Sequence, residues 1–165
     1  QLYYKIACTY MNEGVWDSAI KNLQTAMRIH RLQPEYNLAI GQCYMQIGKI
    51  EDAIQYFGNV VRTKPKNSNG WIELLKCLYS VNCYEEGLEY TDHALELTNG
   101  KTLFLFYKSA FLFALRKSKE AVLQLEAGME QNPKLIKKML ELNPSLLQNQ
   151  FVVDVLARYK RNKKS

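Results

Sequence analysis

The sequence has little of what catalysis, metal binding or membrane insertion needs. Its 165 residues include only two histidines, His30 and His93, and four cysteines, none of them in a Cys-x-x-Cys pair. Neither histidine has a Ser, Cys or carboxylate pattern around it that would suggest a triad. Each falls near the end of an expected helix, where a partial positive charge is favourable. Cys43 and Cys77 are 34 residues apart, the same interval that organises the rest of the chain, so the cysteines are expected to be small helix-face residues rather than metal ligands or redox centres. No catalytic residue, cofactor site or metal site is expected. The most apolar run, Leu103 to Leu115, is interrupted by Lys108 and Ser109 and is too short to span a bilayer. No secretory signal and no strand pattern is visible. The chain opens at Gln1, without an initiator methionine and already within a helical pattern. It is therefore expected to be the C-terminal part of something longer, with a cytoplasmic location.

Apolar residues at 47% and charged residues at 23% suit a globular body. The charge is unevenly placed. Residues 1–133 hold 14 Lys/Arg and 14 Asp/Glu, whereas residues 134–165 hold eight basic and two acidic residues, and these give the net +6. The basic end, Arg158-Tyr159-Lys160-Arg161-Asn162-Lys163-Lys164, has the chemistry to touch phosphates or an acidic partner. Nucleic acid is nevertheless disfavoured as a partner, because the cluster is short and no basic stripe extends it.

The organising signal is an internal period of 34 residues. Ala19, Ala53, Gly87 and Ala121 form one column of small residues. Ile6, Ile40, Leu74 and Lys108 form another, as do Ala7, Gly41, Leu75 and Ser109, and Tyr10, Tyr44, Leu78 and Leu112. A period of this length denotes stacked helix-turn-helix units, each burying its apolar face on its neighbours. Two antiparallel helices approach closely where both supply small side chains, so the Ala7/Gly41/Ser109 column is paired with the Ala19/Ala53/Ala121 column. In the third unit Leu75 breaks the first column and Gly87 replaces alanine in the second, which reads as one residue compensating for the other. Thr91, at a position that prefers a large apolar residue, makes that unit the loosest. Pro34, Pro65 and Pro133 punctuate the helices. The helices are expected near 2–12 and 16–30, 35–47 and 51–63, 69–80 and 84–97, and 102–115 and 118–131, with further helices near 134–142 and 148–160.

The stretch from Pro34 to Pro65, with Gly41, Tyr44, Ala53, Phe57 and Pro65 at their characteristic offsets, closely resembles the tetratricopeptide repeat, and the resemblance extends over residues 1 to about 133. It implies an all-α, right-handed α-α solenoid of about four units (1–33, 34–67, 68–101, 102–133), followed by capping helices and a basic tail over 134–165. It further implies a concave groove lined by the first helix of each unit. The inward columns would be Tyr4, Leu38, Ile72 and Phe106, then Cys8, Gln42, Lys76 and Ala110, then Met11, Met45, Tyr79 and Phe113. Aromatic and methionine side chains suit an extended or helical peptide with several hydrophobic anchors, and Lys76, helped by Lys108, would orient a carboxylate. Phe106 and Phe113 are divided between that groove and a core covered by the residues after Pro133. Some family members grip the C-terminal carboxylate of chaperone tails. At the corresponding columns this chain has Tyr4, Cys8, Ala39, Asn69 and Glu73 in one frame, and Leu38, Gln42, Glu73, Leu103 and Tyr107 in the other. Neither set makes that clamp.

Three functional readings follow. The chain is foremost a non-enzymatic adaptor that binds a hydrophobic peptide segment of another protein. The alternatives are a structural module that self-associates end to end or packs on its own N-terminal part, and a nucleic-acid-associated protein that uses the basic tail.

Overall fold

The computed structural model describes residues 1–31 and 33–163, and among these it has ten α-helices and no strand. They form two compact units, Gln1–Cys77 and Leu78–Ser165. Lys164 of the basic end lies outside the described residues.

The first unit contains α1 (Leu2–Asn12), α2 (Trp16–Ile29), α3 (Pro34–Gln46), α4 (Ile50–Thr63) and most of α5 (Ser68–Ser80). α1 packs on α2, α2 on α3 and α3 on α4. The centre of this stack is Ala7, Ala19, Ile20, Leu23, Ala39, Ile40 and Cys43, all buried. The small residues set the spacing between paired helices. A Cβ added to Gly41 would lie 2.5 Å from Cε1 of Phe57, so the glycine leaves the space that the phenylalanine ring fills. Gly70, at the start of α5, similarly admits Val60 and Val61 of α4. Trp71 donates from its indole nitrogen to the carbonyl of Pro65 at 2.7 Å, which holds the entry to α5.

The second unit continues from the end of α5 through α6 (Tyr84–Leu97), α7 (Thr102–Ala114) and α8 (Ser118–Gln131). A 3-10 turn at Pro133–Leu135, α9 (Ile136–Leu142), a second 3-10 turn at Pro144–Gln148 and α10 (Gln150–Asn162) complete it. α7 is its axis: nine of its residues are buried, and α6, α8 and α9 pack around it. A helix apolar on nearly every side requires such enclosure. The expected pairing of small columns is visible in one bond, from Ser109 Oγ to the carbonyl of Ala121 at 2.9 Å.

Gly87 leaves room for an aromatic ring of α7. The atoms nearest to its missing Cβ belong to the ring of Phe111, so α7 takes that space. Thr91 one turn later is fully buried, and its hydroxyl donates to the Gly87 carbonyl at 2.6 Å, so its polar atom is satisfied at a position where the repeat prefers an apolar side chain.

A second 34-residue regularity lies in the turns. Gly14, Gly48, Asn82 and Arg116 each have φ between +60° and +77°. After each, the chain closes the preceding helix with the same pair of bonds. In the second helix pair, Gly48 N–H donates to Met45 O at 3.1 Å and Lys49 N–H donates to Tyr44 O at 2.9 Å. In the fourth pair, Arg116 N–H reaches Phe113 O at 3.0 Å and Lys117 N–H reaches Leu112 O at 2.9 Å. This is the Schellman termination, which favours glycine, accepts asparagine and penalises a residue such as arginine.

Cys43 and Cys77 are buried, and Cys8 and Cys83 are half-buried. Burial pushes the Cys43 thiol from an ordinary 9.0 to about 11 and the Cys77 thiol to about 12.

These details give specific expected outcomes. Gly58 in α4 has open space where a Cβ would stand, so Gly58→Ala should stabilise the chain by about 0.5–1 kcal/mol in urea titration. Gly87→Ala should instead destabilise it by about 1–3 kcal/mol, since the added carbon meets the Phe111 ring. Arg116→Gly should stabilise by about 1 kcal/mol through relief of the left-handed backbone. For the thiols, a disulfide-exchange reagent at neutral pH should modify Cys8 and Cys83 first and reach Cys43 and Cys77 only on unfolding. Because the folded thiols hold their protons longer than unfolded ones, stability should fall as pH rises from about 9 toward 11–12.

Candidate functional site

Seven of the ten residues expected to line a groove belong to the first unit, and they come from the first helix of each pair. Tyr4 and Met11 lie on α1, Leu38, Gln42 and Met45 on α3, and Ile72 and Lys76 on α5. All seven are half-buried. Of these, Tyr4 and Met11 pack their inner halves against the Ala7–Ala39 core.

Met11, Gln42, Met45 and Lys76 meet in one cleft of about 420 Å³, whose other lining residues are Asn12, Trp16, Gln46 and Glu73. The arrangement follows from helical spacing: Gln42, Met45 and Gln46 succeed one another on one side of α3, and Glu73 and Lys76 do so on α5. Lys76 Nζ is 3.4 Å from Glu73 Oε1, so the ammonium expected to orient a carboxylate already has one beside it. By sequence, Glu73 falls only at a column of the chaperone-tail clamp and not among the groove residues, although its i,i+3 relation to Lys76 is a signal that could have found it. The cleft is therefore methionine and tryptophan surface with amide groups and a balanced ion pair at its margin. Such a site takes apolar side chains and can still bond to a backbone.

A second cleft of about 460 Å³, lined by Gln1, Tyr4, Lys5, His30, Gln33, Glu35 and Tyr36, lies at the start of α1 and α3. The Tyr4 and Tyr36 rings are 5.2 Å apart and tilted by 35°. Glu35 pairs with Lys64 at 3.2 Å. Its carboxyl is held below the ordinary range by a hydrogen bond from its own backbone N–H and, to a lesser degree, by Lys64. Burial raises the Tyr4 hydroxyl, and neighbouring Cys8 adds to the shift.

The three expected groove residues of the second unit are core. Phe106 is 0% exposed, Tyr79 7% and Phe113 8%. The Phe106 ring fills the space left by Gly128 of α8. Tyr79 in the last turn of α5 has the Phe111 and Tyr84 rings each at 5.2 Å and accepts a hydrogen bond from Asn143 Nδ2 at 3.2 Å. Burial raises its hydroxyl, and the bond from Asn143 partly opposes that rise. Phe113 lies beside the turn Asn143–Asn149. Phe106 is enclosed against α8, while the chain past Pro133 packs on α7, lies beside Phe113 and bonds to Tyr79. Lys108, the second cation expected to serve a ligand, is paired with Asp92 at 2.6 Å.

Elsewhere the chemistry is sparse. Among the described residues no group of three His, Cys, Asp or Glu side chains could hold a metal ion, and no helix is long and apolar enough to cross a membrane. At the basic end, Arg158 pairs with Glu126 at 2.9 Å, and the Lys163 ammonium lies 5.5 Å from the centre of the Tyr159 ring. Part of that positive charge is thus engaged within the unit.

Residues 34–67 match the family model for the tetratricopeptide repeat. Solved structures resemble the chain from end to end. MamA from residue 41 onward, from Desulfovibrio magneticus RS-1, is 13% identical with a TM-score of 0.74 over 99% of this chain and 94% of that one. TTC0263, described as a thermophilic TPR protein of Thermus thermophilus, is 15% identical with a TM-score of 0.62 over 98% and 97%. YrrB, described as a TPR protein with an unusual peptide-binding site, is 18% identical with a TM-score of 0.68 over 95% of this chain and 82% of that one. Tetratricopeptide repeats build protein–protein interaction scaffolds and are generally not catalytic. The chain carries a tetratricopeptide repeat at residues 34–67 and has the all-α helix-pair solenoid fold of tetratricopeptide-repeat proteins.

Proposed function

We propose that the chain is a non-enzymatic adaptor whose first unit receives an apolar peptide segment of another protein along α1, α3 and the first part of α5. We read residues 1–133 as four repeat units and 134–165 as their cap, in the cytoplasm and without a cofactor. The observation that carries the reading is the convergence of Met11, Gln42, Met45 and Lys76 on one cleft in which each keeps exposed surface. Methionine adapts to irregular apolar partners, and the amides of Gln42 and Gln46 offer both donors and acceptors to a peptide backbone. Tyr4, Leu38 and Ile72 extend the same helices' half-exposed surface. The peptide-binding site described for YrrB supports the reading by analogy of fold.

A display library of random peptides about 12 residues long, selected on the native chain and on a Leu38→Glu/Met45→Glu variant, tests this. The native chain should enrich sequences with two or more apolar anchors, and the variant, once circular dichroism shows the native helical content, should lose at least about tenfold in affinity for them. Unchanged affinity would place recognition elsewhere.

A second reading, self-association through the start of α1, is favoured by Leu2 at 69% exposure and by the exposed Tyr3 beside it. Sedimentation should then show an oligomer that Leu2→Glu dissociates, whereas a monomer at every concentration would remove this reading.

A further inference from the structure

The segment that covers α7 in the second unit is thinly attached. Between Ile136 and Asn149 only Met139 and Leu146 are buried, while Glu141, Pro144, Ser145, Leu147 and Gln148 are exposed or nearly so. Asn143 Nδ2 donates to the Tyr79 hydroxyl. The oxygen of the same amide is used locally, accepting from Ser145 N at 3.1 Å and Ser145 Oγ at 2.6 Å to set the turn that begins at Pro144. A cleft of about 380 Å³ remains where Phe113 and Ala114 face Asn143, Ser145, Leu146 and Gln148, so the segment does not close on the end of α7. α9 has only seven residues and is bounded on both sides by 3-10 turns. Few buried apolar anchors and short, interrupted helices mark a part of a fold that opens locally at low cost. The surface beneath is aromatic. Tyr79 and Phe113 hold the repeat positions that Met11 and Met45 hold in the first unit, where both side chains stay half-exposed.

We propose that residues 139–149 are a tethered ligand. The Tyr79–Phe113 face is a peptide-docking surface whose resident occupant is the chain's own Asn-Pro segment. A peptide of the same chemistry takes its place in trans: an Asn-Pro step with an aliphatic side chain four residues before the asparagine and another three residues after it, as Met139, Asn143 and Leu146 are spaced. The asparagine amide bonds to the tyrosine hydroxyl, and the two aliphatic groups reach the apolar surface of α7. This inference does not rest on the cleft of the first unit, and either can fail without the other.

The probe is a fluorescent peptide of residues 136–149, measured by anisotropy against the full chain and against an Asn143→Ala/Leu146→Ala variant whose own segment is loosened. The variant should bind the peptide at least about tenfold more tightly than the native chain does, and an unlabelled peptide carrying the same two alanines should fail to compete. No binding to the folded variant, or equal binding to both chains, overturns the proposal. Hydrogen exchange on the native chain decides the matter should the variant not fold. Amides of residues 143–149 should exchange at least about tenfold faster than those in the middle of α7, and exchange of both in one cooperative step would show the segment to be integral core.

Discussion

The structure depends on how closely two antiparallel helices can approach, and that distance is set by residues with little or no side chain. Gly41, Gly87 and Gly128 each leave a space that an aromatic ring occupies: Phe57, Phe111 and Phe106 respectively. In the second unit, the hydroxyl of Ser109 and the backbone of Ala121 come within hydrogen-bonding distance for the same reason. Each ring in a glycine's place buries a large apolar area and fixes the rotation of its helix about its own axis. Once the pairs are fixed in this way, the side chains left over for solvent are determined as well.

That remainder differs between the two units. On α1, α3 and the start of α5 it is half-exposed methionine, leucine and glutamine around a cleft, with Lys76 and Glu73 in balance at its edge. On α7 and the end of α5 the corresponding positions carry tyrosine and phenylalanine, all of them buried, and the chain past Pro133 packs on α7. Larger aromatic surface is costlier to leave in water, and a covering segment removes that cost. The ion pairs contribute little to either unit. Glu35–Lys64 and Glu126–Arg158 are largely exposed, and such pairs are worth about 0–1 kcal/mol.

Helix positions are legible in the sequence because the 34-residue period, the prolines and the paired small columns all report the same local events. Every helix expected between residues 2 and 131 stands within about two residues of its place. The partner of Gly87 is not legible: a repeat column says which positions face inward but not which ring from which helix arrives, and Phe111 enters from α7. The left-handed turn position is partly legible, since glycine announces it at residues 14 and 48, while Asn82 and Arg116 hide it. For the candidate site, the sequence indicates which residues share a face and leaves open which of them meet water. Phe106 meets Gly128 of α8 and Phe113 lies beside the turn after Asn143, and the repeat column, which divides both residues between groove and core, does not say which neighbour covers each. Tyr79 reads as a ligand contact from its repeat position alone, because its distance in sequence from Asn143 conceals the hydrogen bond between them.

Hydroxyl-radical footprinting of the native chain, read residue by residue by mass spectrometry and corrected for intrinsic reactivity, tests the central claim most directly. The account predicts strong labelling of Met11, Leu38 and Met45 and protection of Tyr79, Phe106 and Phe113. Equal labelling of the two sets would contradict it, since the first unit would then offer no face that the second does not.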